Sequence, residues 1–241
     1  MNWSLKWEIF LEKLKVYEYK QELLNGLLLT VRIAVFGLLI GIVIGTLIAT
    51  VKVAPKYKLG IKILDKICTV YTSFFRGTPM MVQLLIAYYV LMPALGIRGV
   101  NKELLGIIVF GMNSGAYVSE IMRSGIQSVD KGQLEAGRAL GLNYATSMIK
   151  IVIPQAVKNI LPTLGNEFIS LIKETSVLSF ITVIDLYKAL SDIAMANQNY
   201  EFVIPYLVLG LIYIVLVMLI SLLVKLIEKL LSKSEKRSAT K

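Results

Sequence analysis

Residues 23–53 read LLNGLLLTVRIAVFGLLIGIVIGTLIATVKV, with Arg32 as the one charge in the interior of the run and Lys52 next to its end. A helix rises about 1.5 Å per residue, so roughly 20 apolar residues cross the hydrocarbon core of a bilayer. This stretch spans with residues to spare. It is too long, and begins too late, to be a signal peptide. Gly37, Gly41 and Gly45 recur along it at every fourth position. Such a stripe of small residues lets another helix approach closely, and its expected role is assembly.

Outward from this run, four more apolar stretches follow, at about Ile61 to Leu95, Leu104 to Met122, Ile160 to Leu186 and Phe202 to Leu231. Of the 241 residues 56% are hydrophobic and 17% charged, against roughly 45–50% and about 25% in soluble domains. The expectation is an all-α integral membrane protein with five transmembrane helices. Residues 1–22 mix Lys6, Lys13, Lys15 and Lys20 with Glu8, Glu12, Glu18 and Glu22 around Trp3, Trp7, Phe10 and Leu14. They read as an amphipathic segment lying at the interface. Residues 23–231 make the membrane domain and 232–241 a basic tail; the whole stretch from Lys225 to Lys241 suits contact with anionic headgroups.

Charge sets the orientation. The net charge is +10, from 26 Lys+Arg against 16 Asp+Glu. With five crossings, segments 51–66, 123–158 and 225–241 fall on one side and hold sixteen Lys+Arg, while 1–22, 93–103 and 187–202 hold seven. The positive-inside asymmetry then places the N terminus outside and the C terminus in the cytoplasm.

Composition also excludes chemistry. There is no histidine, and Cys68 is the only cysteine, so Ser-His-Asp and Cys-His systems, an intrachain disulfide and a Cys/His zinc site are ruled out. No metal site is expected, and Cys68 reads as a packing residue. Two apolar stretches are interrupted, at Arg76-Gly77-Thr78-Pro79 and at Lys173-Glu174-Thr175-Ser176. Broken or charged backbone at membrane depth is tolerated where it faces protein or water, so both interruptions point toward a pathway.

The long cytoplasmic loop, about 125–158, is far less apolar than its neighbours. Asp130 suits a helix start, Glu135 lies near the positive end of that helix, and Gly141 suits its end. Ala136 and Gly137 lack bulk, so a partner surface can come close there. A second short helical segment, 143–152, is expected to end at Pro154.

Glu135-Ala136-Gly137, then Gly141, then Ile151-Val152-Ile153-Pro154 resembles the E-A-A-x-x-x-G-x(9)-I-x-L-P signature of permease subunits of ATP-binding cassette importers. Gly137 stands for the second alanine and Ile153 for the leucine. Three further stretches, 75–83, 113–123 and 165–176, are similar to the polar amino acid branch, the permeases for histidine, arginine and glutamine. The resemblance covers roughly residues 22–230. It implies a type I importer fold in which two permeases, identical or sister subunits, sit on a dimer of ATPase subunits. An extracellular binding protein delivers the amino acid. The loop would be the coupling helix, with Glu135, Ala136, Gly137, Arg138, Gly141, Ile151 and Pro154 as its marked positions. No Walker A sequence occurs here. ATP and magnesium are therefore expected on the partner ATPase, with no cofactor bound by this chain.

Within the crossings, Glu167 is the sharpest pathway candidate, because a carboxylate inside an apolar span is costly and usually faces the interior. Thr163, Glu167, Ser170 and Glu174 follow at steps of four, three and four, and so share a helical face. Asn113, Tyr117 and Glu120 do the same on the preceding crossing, with Ser114 beside them. Gln83, Asn113, Ser114 and Asn166 offer donors and acceptors for an amino acid. The plainer reading is that these groups bond helix to helix. Lys173 and Glu174 read as structural, Arg76 as the partner of a carboxylate such as Glu120, and Glu135 with Arg138 as a possible pair at i,i+3. Two other functions remain in view: a membrane-embedded enzyme using Glu167 and Glu174, and a passive channel. The first lacks a nucleophile motif, and the second has no use for a large cytoplasmic loop.

Overall fold

The structure, a computed structural model, describes residues 3–196 and 202–238, apart from the side chains of 231–238. The side chains of the tail's lysines and arginine from 233 on therefore lie outside what is described. Every regular element among the described residues is helical. In order they are α1 (Trp3–Lys15), α2 (Tyr17–Val53), α3 (Leu59–Gly77), α4 (Met80–Ile86), a π turn (Ala87–Leu91), α5 (Met92–Ala94) and α6 (Lys102–Gln127). Then come α7 (Lys131–Ala139), α8 (Tyr144–Ser147), a second π turn (Met148–Val152), α9 (Ile153–Glu174), a 3-10 segment (Thr175–Ile181), α10 (Leu186–Met195) and α11 (Val203–Ser238).

By length and apolarity α2, α6 and α11 qualify as spans, and α3 with α4 and α5 would make a fourth across the break at Thr78-Pro79. Helix α9, which takes up the first part of the remaining apolar stretch, is 22 residues long but does not meet the same test, since it carries Asn159, Asn166 and Glu167 along its length and these lower its hydropathy. It runs from Ile153, earlier than the expected Ile160, and closes at Glu174, where the 3-10 segment takes over. Both interruptions read in the sequence are thus real helix ends. Residues 1–22 are not one helix: α1 stops at Lys15 and the first spanning helix already begins at Tyr17.

The chain forms two compact units. The first comprises Met1–Gly37, Thr78–Gly111 and Ser170–Leu219. Its core gathers Phe10 of α1, Leu186, Leu190 and Ile193 of α10, and Ile204 and Leu209 of α11. Phe10 anchors α1, whose Trp3, Trp7 and Leu11 stay exposed. Asp185 caps α10 by accepting from the backbone N–H of Lys188 at 3.0 Å and Tyr187 at 3.3 Å. Thr30 accepts from Leu186 N at 3.2 Å, and Gly26 allows this approach, since a Cβ there would sit 2.7 Å from the Asp185 carbonyl oxygen. The internal charge Arg32 is met by Glu103 at 2.9 Å. Gln83 closes the chain break by donating to the Thr78 carbonyl at 3.0 Å and its hydroxyl at 2.8 Å.

The second unit comprises Leu38–Gly77, Met112–Ile169 and Ile220–Lys241. Here the glycine stripe meets α6 of the same chain. A Cβ on Gly41 would lie 2.7 Å from Ser114 Oγ, and one on Gly45 2.6 Å from Val118 Cγ1. In the first unit Gly37 faces Phe110 in the same way, at 3.1 Å. The stripe therefore serves packing within the chain. Steps of four on α2 answer steps of four on α6, because both rows lie along one face of a helix.

Candidate translocation and coupling site

Of the pathway candidates, Gln83 and Ser170 belong to the first unit, and Asn113, Ser114, Tyr117, Asn166 and Glu167 to the second. The structure brings Ser114 and Glu167 into contact: the Ser114 hydroxyl donates to Glu167 Oε1 at 2.9 Å. Ser114 is fully buried, being pressed against Gly41, whereas Glu167 is half-buried. Asn166 and Thr163 are exposed. Asn113 is buried and gives its amide to the Phe75 carbonyl at 3.2 Å, near the end of α3 where carbonyls lose their helical partners. Gln83 is likewise engaged at a helix break. These two amides act first as splices.

Arg76 does not reach Glu120, contrary to expectation. Its guanidinium lies over the Tyr117 ring, 5.6 Å from the centroid, a cation–π contact. Glu120 is already held from two sides, by Lys52 Nζ at 2.6 Å and Arg123 at 2.8 Å, and Lys52 also donates to the Thr72 hydroxyl at 3.2 Å. Two cations satisfy that carboxylate and a third would only repel. Lys52 was missed in the sequence, although a lysine closing one apolar run and a glutamate inside another each need an opposite charge.

The loop after α6 forms as its residue types require. Asp130 accepts from Gly132 N at 2.6 Å and caps α7. At the other end Leu142 N donates to the Gly137 carbonyl at 3.1 Å and Gly141 N to the Arg138 carbonyl at 3.0 Å. This double bond pattern, with Gly141 at φ +86°, is the left-handed cap that favours glycine. Glu135, Ala136 and Arg138 are exposed. Gly137 is buried, and a Cβ there would come within 2.8 Å of Ile151 Cδ1 and 2.9 Å of Ser147 Oγ. Its small size thus admits this chain's own 147–151 segment, not a partner. Neither does that segment stop at Pro154. The π turn Met148–Val152 absorbs the bond that proline cannot make, and the helix continues as α9.

Further contacts tie α7 to its flanking helices. Gln155 donates to Gln133 at 3.3 Å, and Asn159 to the Ser128 hydroxyl at 2.9 Å. Gly125 admits Ile160, whose Cγ1 would lie 2.3 Å from a Cβ there. Tyr144 donates to the Val53 carbonyl at 3.4 Å, joining the loop to the end of α2, and burial pushes its phenol above the ordinary value. Helix α7 is thereby tied to α9, which carries Glu167, and α9 in turn packs on the end of α6, the helix that carries Ser114.

Residues 37–233 match the model of the binding-protein-dependent transport system inner membrane component family. The putative glutamine transport system permease protein GlnP of Rickettsia bellii (strain RML369-C) is 42% identical over 195 residues, covering 81% of this chain and 86% of that protein. The arginine transport system permease protein ArtQ of Bacillus subtilis (strain 168) is 38% identical over 195 residues, covering 81% and 85%. Among solved structures, the crystal structure of an amino acid ABC transporter with histidines superposes with a TM-score of 0.80 at 36% identity, covering 90% of this chain and 97% of that one. This chain performs no reaction of its own, hydrolysis being the work of a separate ATPase subunit. The resemblance read in residues 135–154 therefore holds over most of the sequence and in three dimensions. The chain belongs to the inner membrane components of binding-protein-dependent transport systems, and is a membrane-embedded permease subunit of an ATP-binding cassette importer.

Proposed function

We propose that this permease carries polar L-amino acids, basic ones among them, and that Glu167 meets the cationic part of the substrate. Relatives named for glutamine and arginine, and a structural neighbour solved with histidines, support the class. The observation that carries the reading is the Ser114–Glu167 bond at 2.9 Å: a carboxylate inside a spanning helix, oriented by a buried hydroxyl and left half-accessible. A carboxylate there attracts an ammonium or guanidinium, and the cost of placing it in the membrane argues for use. Asn113, Tyr117 and Asn166, of the same unit as Glu167, line its route in this reading, the carboxylate of the substrate being met by amide and hydroxyl donors.

The exposed Glu135, Ala136 and Arg138 enter a cleft on the ATPase, while Gly137, Gly141, Ile151 and Pro154 shape the loop behind them. ATP and magnesium bind on that partner. Closure of the ATPase displaces α7, and its tie to α9, together with the packing of α9 on α6, carries the movement to Glu167 and Ser114, so that access alternates between the two sides. The permease pairs with a second copy or a sister subunit. Its N terminus lies outside and its C terminus in the cytoplasm, an orientation supported by sixteen basic residues on one side against seven on the other. Uptake of arginine, histidine and glutamine by a Glu167→Gln variant in proteoliposomes tests the assignment. Arginine uptake is expected to weaken most, and unchanged affinity for all three sinks the role of Glu167.

A further inference from the structure

Helix α3 opens with a row of cations that this chain does not neutralise. Lys58, whose carbonyl accepts from Ile61 N at 3.1 Å and Lys62 N at 3.3 Å, is followed at steps of four by Lys62 and Lys66. All three are exposed. At roughly 100° per residue they occupy an arc of about 80° on the helix. The adjoining arc carries Leu59, Ile63, Ile67, Val70 and Phe74, all exposed, whereas Thr72 and Phe75 on the far side are buried. Asp65, the one carboxylate in α3, is held by Lys56 at 2.5 Å. Among the described residues, none of the three lysines has an ion pair.

The row does not serve the helix itself. There is no acidic residue in the first turn, cations near a helix N terminus oppose its dipole, and like charges four apart repel. A lysine row beside an apolar stripe fits the plane where water meets hydrocarbon: the stripe enters the acyl chains, and the lysine stems reach back to the level of the phosphates. We propose that Lys58, Lys62 and Lys66 bind the phosphate headgroup of an anionic phospholipid and hold the start of α3 at the bilayer surface. A soluble partner would leave the adjoining Ile63, Ile67 and Val70 in water, so the occupant is a lipid. The inference asks of the functional reading only that the chain lies in a bilayer.

The full-length permease, extracted mildly from nanodiscs of equal phosphatidylglycerol and phosphatidylethanolamine, reports its retained lipid by native mass spectrometry. Wild type and K58R/K62R/K66R are expected to retain phosphatidylglycerol several-fold over phosphatidylethanolamine, and K58Q/K62Q/K66Q to fall near parity. Equal preference in wild type and the glutamine variant overturns the proposal. So does a glutamine variant that alters the oligomeric state while keeping its lipid, because the row would then belong to an interface between copies. Where the glutamine variant does not assemble, wild type decides alone. Salt screens an exposed headgroup contact, so the preference must drop several-fold at high ionic strength, and a salt-independent preference, or none, overturns it.

Discussion

The Ser114 hydroxyl donates to Glu167 Oε1 at 2.9 Å, linking α6 to α9 across 53 residues of sequence that contain the whole loop around α7. The two helices leaving that loop are therefore joined again inside the membrane. Removing the hydroxyl in Ser114→Ala deletes a hydrogen bond to a charged group, valued at about 1.5–3 kcal/mol. If the bond aims Glu167 at substrate, uptake affinity should fall roughly tenfold or more. Concentration-dependent uptake in proteoliposomes measures this, and an unchanged half-saturation would assign the bond to helix packing alone.

Glu120 is held by Lys52 and Arg123, so its two possible losses differ. In Lys52→Met the carboxylate keeps Arg123, whereas in Glu120→Gln two cations are left facing one another in a partly buried site. Removing one partner from a buried charge network costs on the order of 3 kcal/mol, and the expected order is a larger loss for Glu120→Gln. Thermal unfolding of the detergent-purified variants ranks them; the reverse order would show that the Glu120 carboxylate, with Arg123 alone, is the charge left without enough cover.

Glycines divide by what surrounds them. A Cβ on Gly45 meets Val118 Cγ1 at 2.6 Å and the Ser119 backbone nitrogen at 2.8 Å, while one on Gly210 meets nothing within 4 Å. Gly45→Ala should destabilise by roughly 1–3 kcal/mol through overpacking, and Gly210→Ala should be neutral or stabilising by up to about 1 kcal/mol through helix propensity. Melting temperatures of the two variants, side by side, check the contrast.

Both caps of α7 are open to substitution without touching its exposed face. Asp130→Ala removes an N-cap worth about 1 kcal/mol. Gly141→Ala forces a side chain into the left-handed region at a cost on the order of 1 kcal/mol. Each should lower uptake and binding-protein-stimulated ATP hydrolysis together while leaving substrate affinity unchanged. A shift in affinity with full ATPase stimulation would place α7 outside the coupling step.

The sequence alone determined the class of molecule. Apolar run length, basic residues and the Glu135–Pro154 pattern are local properties, the first two imposed by a bilayer on any chain that spans it, so most of the spans, both helix breaks and the caps of α7 were legible. Neighbours are not local. The sequence could not tell that Gly137 is small to admit Ile151 and Ser147, that Lys52 claims Glu120 before Arg76 can, or that Asn113 splices the end of α3. A residue's type says what partner it needs, but which partner it finds depends on what packs beside it. The π turn before Pro154 belongs to the same group: proline forbids one hydrogen bond, and only the packed chain decided that the helix would widen there and continue.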